Sequence, residues 1–321
     1  VINYPAKLTL SLNYMNNNSV TIPKRFKQRY LPLVDDPEAF FSSLLKPLPK
    51  SFRVNVLKAT QEDVVERFRS YGMIVKQMLW YADAFVVESG SIGSTLERFL
   101  GKINLQELAS MLPPLLVRKE LISARSVLDA CAAPGSKTTQ LAALMRNKGL
   151  LIANDSNFSR IRALKFNLNK AGALNVVITN RDLRNFPLSQ FDVILLDAPC
   201  SSEGTTRKNP FLLSRWSEHR IRTCAGLQKQ LILRAFDLLA PGGTLVYSTC
   251  TFAPEENEAV VDWLLQNRPA KLLPIDLPNI KLAPPVREWQ ATTFHHEIDK
   301  VARLWPHHND TGGFFLARVG K

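Results

Sequence analysis

Two cysteines stand where a thiol can do chemistry. Asp197-Ala198-Pro199-Cys200 closes the apolar run Phe191 to Leu196, and Ser248-Thr249-Cys250-Thr251 closes a second run from Thr244 to Thr249. If both runs are parallel strands of one sheet, their carboxyl ends share a rim and the thiols face the same space. An unperturbed thiol is only about a few per cent ionised at neutral pH, so such a site must lower its pKa or take its proton on demand. A thiolate adding at carbon 6 of cytosine turns the poorly nucleophilic carbon 5 into an enamine-like centre that can attack a methyl sulfonium. A carboxylic acid at ring nitrogen 3 stabilises the charge, and Asp197 is placed for that. Cys131 and Cys224 take the ordinary role of a small buried hydrophobe.

The partner of this chemistry is read from the loop Cys131-Ala132-Ala133-Pro134-Gly135-Ser136-Lys137-Thr138, which follows the short apolar strand Val127-Leu128. It lacks the glycine spacing of a dinucleotide fingerprint, and Gly135-Ser136-Lys137-Thr138 is only half a phosphate loop. Asp155, 18 residues past Lys137, ends the next strand, where an acid commonly accepts hydrogen bonds from ribose hydroxyls. Small residues before it let a ligand approach the backbone. An adenosine ligand without a pyrophosphate fits, and S-adenosylmethionine is the natural candidate. The competing role for Asp155 is to cap the following helix, a task for which Asn154 and Ser156 also qualify.

The elements that must position these groups alternate. Strands are predicted at 127–128, 149–154, 176–179, 191–196 and 244–249. Helices are predicted around Leu141 to Met145, Ile161 to Leu168, Leu227 to Leu239 and Glu255 to Leu265, with Pro241-Gly242-Gly243 as a turn. This rhythm means parallel βαβ units and an α/β, doubly wound sheet. Ahead of it, residues 1–22 read as a poorly ordered lead. Residues 23–113 read as an α+β module: helical spacing at Phe26, Tyr30 and Leu33 and again at Phe40, Leu44 and Leu45, strands at 52–57 and 84–88, and Thr60 as a helix N-cap. The break falls at Pro113-Pro114, so the sheet domain spans 114–321.

Of 321 residues, 45% are apolar and 21% charged, a globular balance. No run of about 18 apolar residues could cross a membrane as a helix. The start lacks a signal-peptide layout, and four scattered cysteines make neither a disulfide framework nor paired zinc spacing, so a reducing cytoplasm is expected. Net charge is +13, with +5 over residues 1–124, +6 over 125–270 and +2 over 271–321. A basic excess spread along the chain fits a polyanionic partner. Arg207-Lys208 and Arg215, with Trp216 nearby, read as an RNA-facing loop that pairs phosphate with stacking. His295-His296 and His307-His308 are adjacent pairs with no carboxylate or cysteine completing a ligand spacing, so no metal is expected.

From about Pro23 to Gly320 the chain resembles the RNA cytosine-5 methyltransferases of the NOP2/Sun (RsmB/Fmu) type. The resemblance rests on Arg53-Val54-Asn55, Gln106 to Pro113, the 131–138 loop, Ala153-Asn154-Asp155, Asp197 to Ser201 with Glu203-Gly204, Pro241 to Thr251 with Glu255 to Glu258, and Arg303, Pro306-His307, Asp310 and Gly313-Phe314-Phe315. It implies a Rossmann-like class I methyltransferase sheet and S-adenosyl-L-methionine as cofactor. Cys131, Ala132, Ala133, Pro134, Gly135, Ser136 and Lys137 would form the cofactor loop, Asp155 and Arg160 the ribose side, and Asp182 the adenine side. Asp197 would hydrogen-bond the target base at the edge of that site, Cys250 would be the nucleophile, and Cys200 would help resolve the adduct. Ser202 departs from the residues often seen after Cys-Ser.

Two other functions compete. A DNA cytosine-5 methyltransferase would use the Pro-Cys thiol and leave Cys250 without a task; a silent RNA-binding scaffold would need neither thiol. The build, with no long extension after the Gly313-Phe314-Phe315 strand, resembles short archaeal-type tRNA enzymes more than extended rRNA ones. A monomer acting on tRNA is expected, with rRNA as the alternative.

Overall fold

The computed structural model describes residues 21–321. The lead expected over 1–22 therefore lies, except for its last two residues, outside the described residues. Among the described residues, no helix is long and apolar enough to cross a membrane.

The main sheet orders its strands Lys271–Leu272, Phe314–Gly320, Leu239–Thr249, Phe191–Asp197, Ser126–Asp129, Leu150–Asn154 and Val176–Thr179, with Ala302–Leu304 pairing Phe314–Gly320. The five strands from Leu239–Thr249 to Val176–Thr179 are parallel, as their alternation with helices predicts. Strand alternation sends successive side chains to opposite faces. Ile194 and Leu196 join the core on one face with Leu128, Leu245 and Tyr247. Val193 and Leu195 join the other with Val127 and Val246. Both faces are covered by helices, which is why these strands are apolar throughout.

Beyond the parallel strands the sheet turns antiparallel, with Phe315 opposite Thr249 and Arg318 opposite Val246. The helix expected at 227–239 runs from Glu218 to Asp237, because Ser217 accepts from Arg220 N and caps a largely polar first half that buries Ile221 and Ala225. Pro241-Gly242-Gly243, expected as a turn, lies within the strand Leu239–Thr249, at a register irregularity against Phe191–Asp197. The helix expected from Glu255 begins at Glu258.

The segment before Pro113 packs as two units. Helices Lys24–Tyr30 and Pro37–Leu44 bury Phe26, Tyr30, Phe40 and Leu44 against Leu213, Phe252 and Trp305 of the main domain. Strands Ser51–Val54, Ile74–Met78, Tyr81–Ser89 and Ile103–Leu105 form a separate antiparallel sheet, over which Phe52, Val64, Phe68 and Phe85 make their own core. Thr60 caps the helix Gln61–Ser70 through a reciprocal pair with Asp63. Buried polar contacts fix this sheet to the main domain: Arg53 donates to Thr139 Oγ1 at 3.1 Å, and Asn55 Nδ2 to the Ala171 carbonyl at 2.8 Å.

Candidate active site

Parallel register brings the chemistry to one rim. Asp129 pairs with Leu195 and Ala153, and Asp197 with Ser248, so the loops after four strands open on the same side. There they enclose a cavity of about 350 Å³ lined by Asp129, Cys131 to Pro134, Ser136, Lys137, Arg160, Asp197, Cys250 and the Gly312-Gly313-Phe314 segment.

On the thiol side, Cys200 Sγ and Cys250 Sγ are 3.2 Å apart. The neighbouring Cys250 sulfur, with burial, pushes the Cys200 thiol well above its ordinary range, which keeps Cys200 protonated. Asp197 accepts from Lys137 Nζ at 2.6 Å and from Ser248 Oγ at 2.9 Å. Burial works against the Lys137 charge, but Asp197 outweighs it and its pKa is raised. Lys137 also donates to Ser110 Oγ at 3.1 Å.

Two buried carboxylates, whose sequence signal was only their place in the family motifs, fasten the two cysteine loops together. Glu203 accepts from Tyr30 OH at 2.7 Å, from Thr251 Oγ1 at 2.7 Å, from Phe252 N at 3.1 Å and from Trp216 Nε1. Glu256 accepts from Ser201 N at 3.0 Å and from Gln228 Nε2 at 2.9 Å; burial pushes its pKa up to about 7. Gly204 N donates to the Cys250 carbonyl at 2.9 Å, and Gly313 N to the Gly204 carbonyl at 2.9 Å. A Cβ on Gly204 would sit 2.2 Å from the Gly313 carbonyl oxygen, so only glycine permits this approach.

On the opposite side the 131–137 loop is held by its own neighbours. Ala132 N donates to the Asn154 carbonyl at 2.8 Å, and Ala133 N to Asp155 Oδ2 at 3.1 Å. Gly135 has φ +106° and gives way to the helix Ser136–Leu144. Arg160 bonds the Ala133 carbonyl and lies 3.4 Å from Asp155. The helix Phe158–Ala171 is capped by Asn157, which accepts from Ser159 N and Arg160 N. Asp155 therefore does not hold that cap; its Oδ1 accepts instead from Asn157 N at 2.9 Å. Asp155 is buried and is not among the residues lining the cavity, and Asp182, past the strand Val176–Thr179, caps the turn Leu183–Asn185 and accepts from Arg184. Burial holds the Cys131 thiol far above its usual range, as an inert side chain.

Asp129, absent from the sequence expectations, lines the cavity with Oδ2 accepting from Thr138 at 2.7 Å and Oδ1 buried without a partner. Burial pushes its pKa up to about 7. An orphaned acceptor beside a loop of small residues suits a ligand carrying N–H donors.

The RNA-facing role expected for Arg207 and Trp216 gives way to the interior. Arg207 is buried and donates to the carbonyls of Lys46, Pro47 and Thr311, and Trp216 packs on Phe26. Lys208 and Arg215 remain exposed, and Lys208 borders the cavity. Neither histidine pair enters the cavity. His307 and His308 both reach Asp35, a carboxylate 272 residues before His307 that linear spacing could not supply.

A family model described as 16S rRNA methyltransferase RsmB/F matches residues 119–320. The tRNA (cytosine(49)-C(5))-methyltransferase of Pyrococcus abyssi is 41% identical over 309 residues, 94% of this chain and 96% of that one. Ribosomal RNA small subunit methyltransferase F of Cronobacter sakazakii is 37% identical over 314 residues, 94% of this chain but only 64% of the relative, so the chain spans less than two thirds of that protein. Among solved structures, a methyltransferase homolog protein from Pyrococcus horikoshii superposes with a TM-score of 0.83 at 36% identity, over 94% of this chain and 96% of that one. NSun6 from Pyrococcus horikoshii with SFG shares the fold, with a TM-score of 0.80 at 23% identity over 93% and 98% of the two chains.

Proposed function

The chain belongs to the RsmB/F (NOP2/Sun) family of S-adenosylmethionine-dependent RNA methyltransferases, and from that premise we propose that it methylates carbon 5 of a cytidine in tRNA through a covalent adduct on Cys250. The observation that carries this reading is the pair of thiols 3.2 Å apart, with Cys250 and Asp197 lining one cavity.

Cys250 loses its thiol proton to solvent, and the thiolate Sγ gives an electron pair to carbon 6, forming the S–C bond while ring electrons shift toward carbon 5. Asp197 and Lys137 share the proton that ring nitrogen 3 needs as charge develops. S-adenosylmethionine, when bound, supplies the electrophilic methyl group that carbon 5 takes. Cys200, a thiol while Cys250 is free, loses its proton to solvent once the Cys250 sulfur is bonded to carbon 6. As thiolate it then takes the carbon 5 proton, the electron pair restores the ring double bond, Cys250 leaves as thiolate with the S–C pair, and ring nitrogen 3 returns its proton to Asp197. The target base must first swing out of any stack, at a cost of a few kcal/mol, which favours weakly paired sites.

The 131–137 loop backbone, Asp129 and Arg160 would hold the cofactor, with Asp155 on the ribose side and Asp182 on the adenine side. Support for this comes from the small side chains of the loop and the unpartnered Asp129 oxygen. The 23–113 module would help choose the RNA while the 114–321 domain holds the cofactor. Alanine at the exposed Lys50 and Lys76 should then lower RNA affinity and leave cofactor affinity unchanged.

The tRNA reading is supported by the tRNA relative, matched over 96% of its length against 64% for the rRNA relative. The rRNA reading keeps the name of the matching family model. Methyl-labelled S-adenosylmethionine with purified tRNA or 16S rRNA, followed by bisulfite sequencing, separates them. Cys250→Ala should abolish both methyl transfer and any covalent RNA adduct. Cys200→Ala should methylate but leave an RNA–protein adduct that survives a denaturing gel. The reverse pattern would assign the nucleophile to Cys200, and unaffected methylation in both variants would remove the covalent mechanism.

A further inference from the structure

Away from the cavity, Asp35, His307 and His308 converge. Asp35 lies between the turn Leu31–Leu33 and the helix Pro37–Leu44, and the histidines lie in the short turn of helix Pro306–Asn309. His307 Nε2 is 3.0 Å from Asp35 Oδ1, and His308 Nε2 is 2.8 Å from Asp35 Oδ2. Their ring centroids are 4.3 Å apart. The imidazoles are fixed in the fold, with side chains 7% and 4% exposed, whereas the carboxylate is 54% exposed. Phe40 packs edge-on against His307 and holds that ring in place.

We propose that Asp35, His307 and His308 form a binding site for a divalent transition-metal ion of the Zn²⁺ or Ni²⁺ class. Two imidazole nitrogens and one carboxylate oxygen are the donors such ions prefer. Donors about 2.1 Å from a tetrahedral Zn²⁺ lie about 3.4 Å apart, so His307 Nε2 and His308 Nε2, 3.0 and 2.9 Å from Asp35 Oδ1, need only a few tenths of an ångström of adjustment by the exposed carboxylate to admit the ion. The three donors leave the solvent side open, where water completes the coordination. Lys281 Nζ lies 3.6 Å from Asp35 Oδ2 on an exposed side chain, free to swing out as the ion takes its place. Nδ1 of both histidines is buried without a partner. Because outer partners on ligating histidines typically strengthen binding about 10–100-fold, the site binds more weakly than a fully supported one. The bound ion would tie the link between the first two helices to the segment that leads into Gly312 and Gly313, which border the cavity.

The test is calorimetric titration of the full chain with Zn²⁺ at neutral pH, paired with thermal unfolding. One ion per chain should bind and raise Tm by a few degrees at saturation. Asp35→Asn and His308→Ala should each weaken binding at least about tenfold and remove the Tm shift, while Lys281→Ala should tighten it. Circular dichroism checks that each variant is folded, and Lys281→Ala, with an exposed side chain, keeps the test open if the others misfold. Undiminished binding in folded His308→Ala would place the ion away from this cluster and overturn the proposal. So would no binding by the native chain, or no tightening in Lys281→Ala.

Discussion

The two walls of the cavity are built differently. The loop 131–137 is held by short-range backbone bonds and by side chains from the next strand and helix, Asp155 and Arg160. The cysteine wall is held by buried carboxylates whose donors come from farther along the chain: Tyr30 is 173 residues from Glu203, and Ser201 is 55 residues from Glu256. A small-molecule site can be assembled by one βαβ unit, whereas setting two sulfurs 3.2 Å apart requires two strand ends locked against each other. Damage to the first wall should stay local, and damage to the second should spread.

The largest effect should come from Glu203→Ala, which leaves Tyr30, Trp216, Thr251 and Phe252 N without their acceptor. Each buried donor left unpaired costs about 1–3 kcal/mol, so the loss should reach about 3 kcal/mol or more in urea unfolding, and methylation should fall with it. Full activity with native stability would show that the cysteine wall does not need this lock.

Asp155→Ala on the other wall should weaken S-adenosylmethionine binding about tenfold, since a bond to a charged group is worth about 1.5–3 kcal/mol. Cysteine reactivity should be unchanged, which thiol labelling reads directly. An unaltered dissociation constant would confine Asp155 to organising the loop.

Both walls should answer to pH. Burial raises Glu256 from 4.5 to about 7, so the folded chain keeps a proton that the unfolded chain releases. Its stabilising contribution is complete below about pH 4.5 and is lost as pH rises through about 7. Asp129 contributes in the same direction from the cofactor side, rising from 3.8 to about 7. Glu256→Gln should flatten the decline in stability across this window while Asp129 leaves a residual slope. Denaturant midpoints measured across the window check it, and an unchanged slope would return Glu256 to ordinary acidity.

The smallest effect is expected at the cavity mouth. Lys208→Ala should lower RNA affinity severalfold and reduce the slope of log affinity against log salt by about 1, the loss of a single phosphate contact. A change in cofactor affinity instead would move Lys208 from the RNA side to the cofactor side.

Much of this architecture was legible in the residues. Short apolar runs alternating with helical spacing point to parallel strands, so the rim with Cys131, Asp155, Cys200 and Cys250 followed from their order along the chain. The cap at Thr60 was legible because its partner, Asp63, is three residues away. The early start of the helix Glu218–Asp237 was masked by its polar first half, where only Ile221 and Ala225, four residues apart, mark the buried face.

What only the tertiary structure decided lies in long-range polar pairing. Sequence marks Arg207 and Trp216 as surface candidates by residue type, yet carbonyls of Lys46, Pro47 and Thr311 draw the guanidinium inside. Glu203 and Asp35 carry no local pattern, because Tyr30 is 173 residues from Glu203 and His307 is 272 residues from Asp35. Periodicity records which face of an element is apolar; it holds no information about which distant donor meets a buried carboxylate. That choice is made when the elements pack, because a buried charge without a partner costs too much to survive.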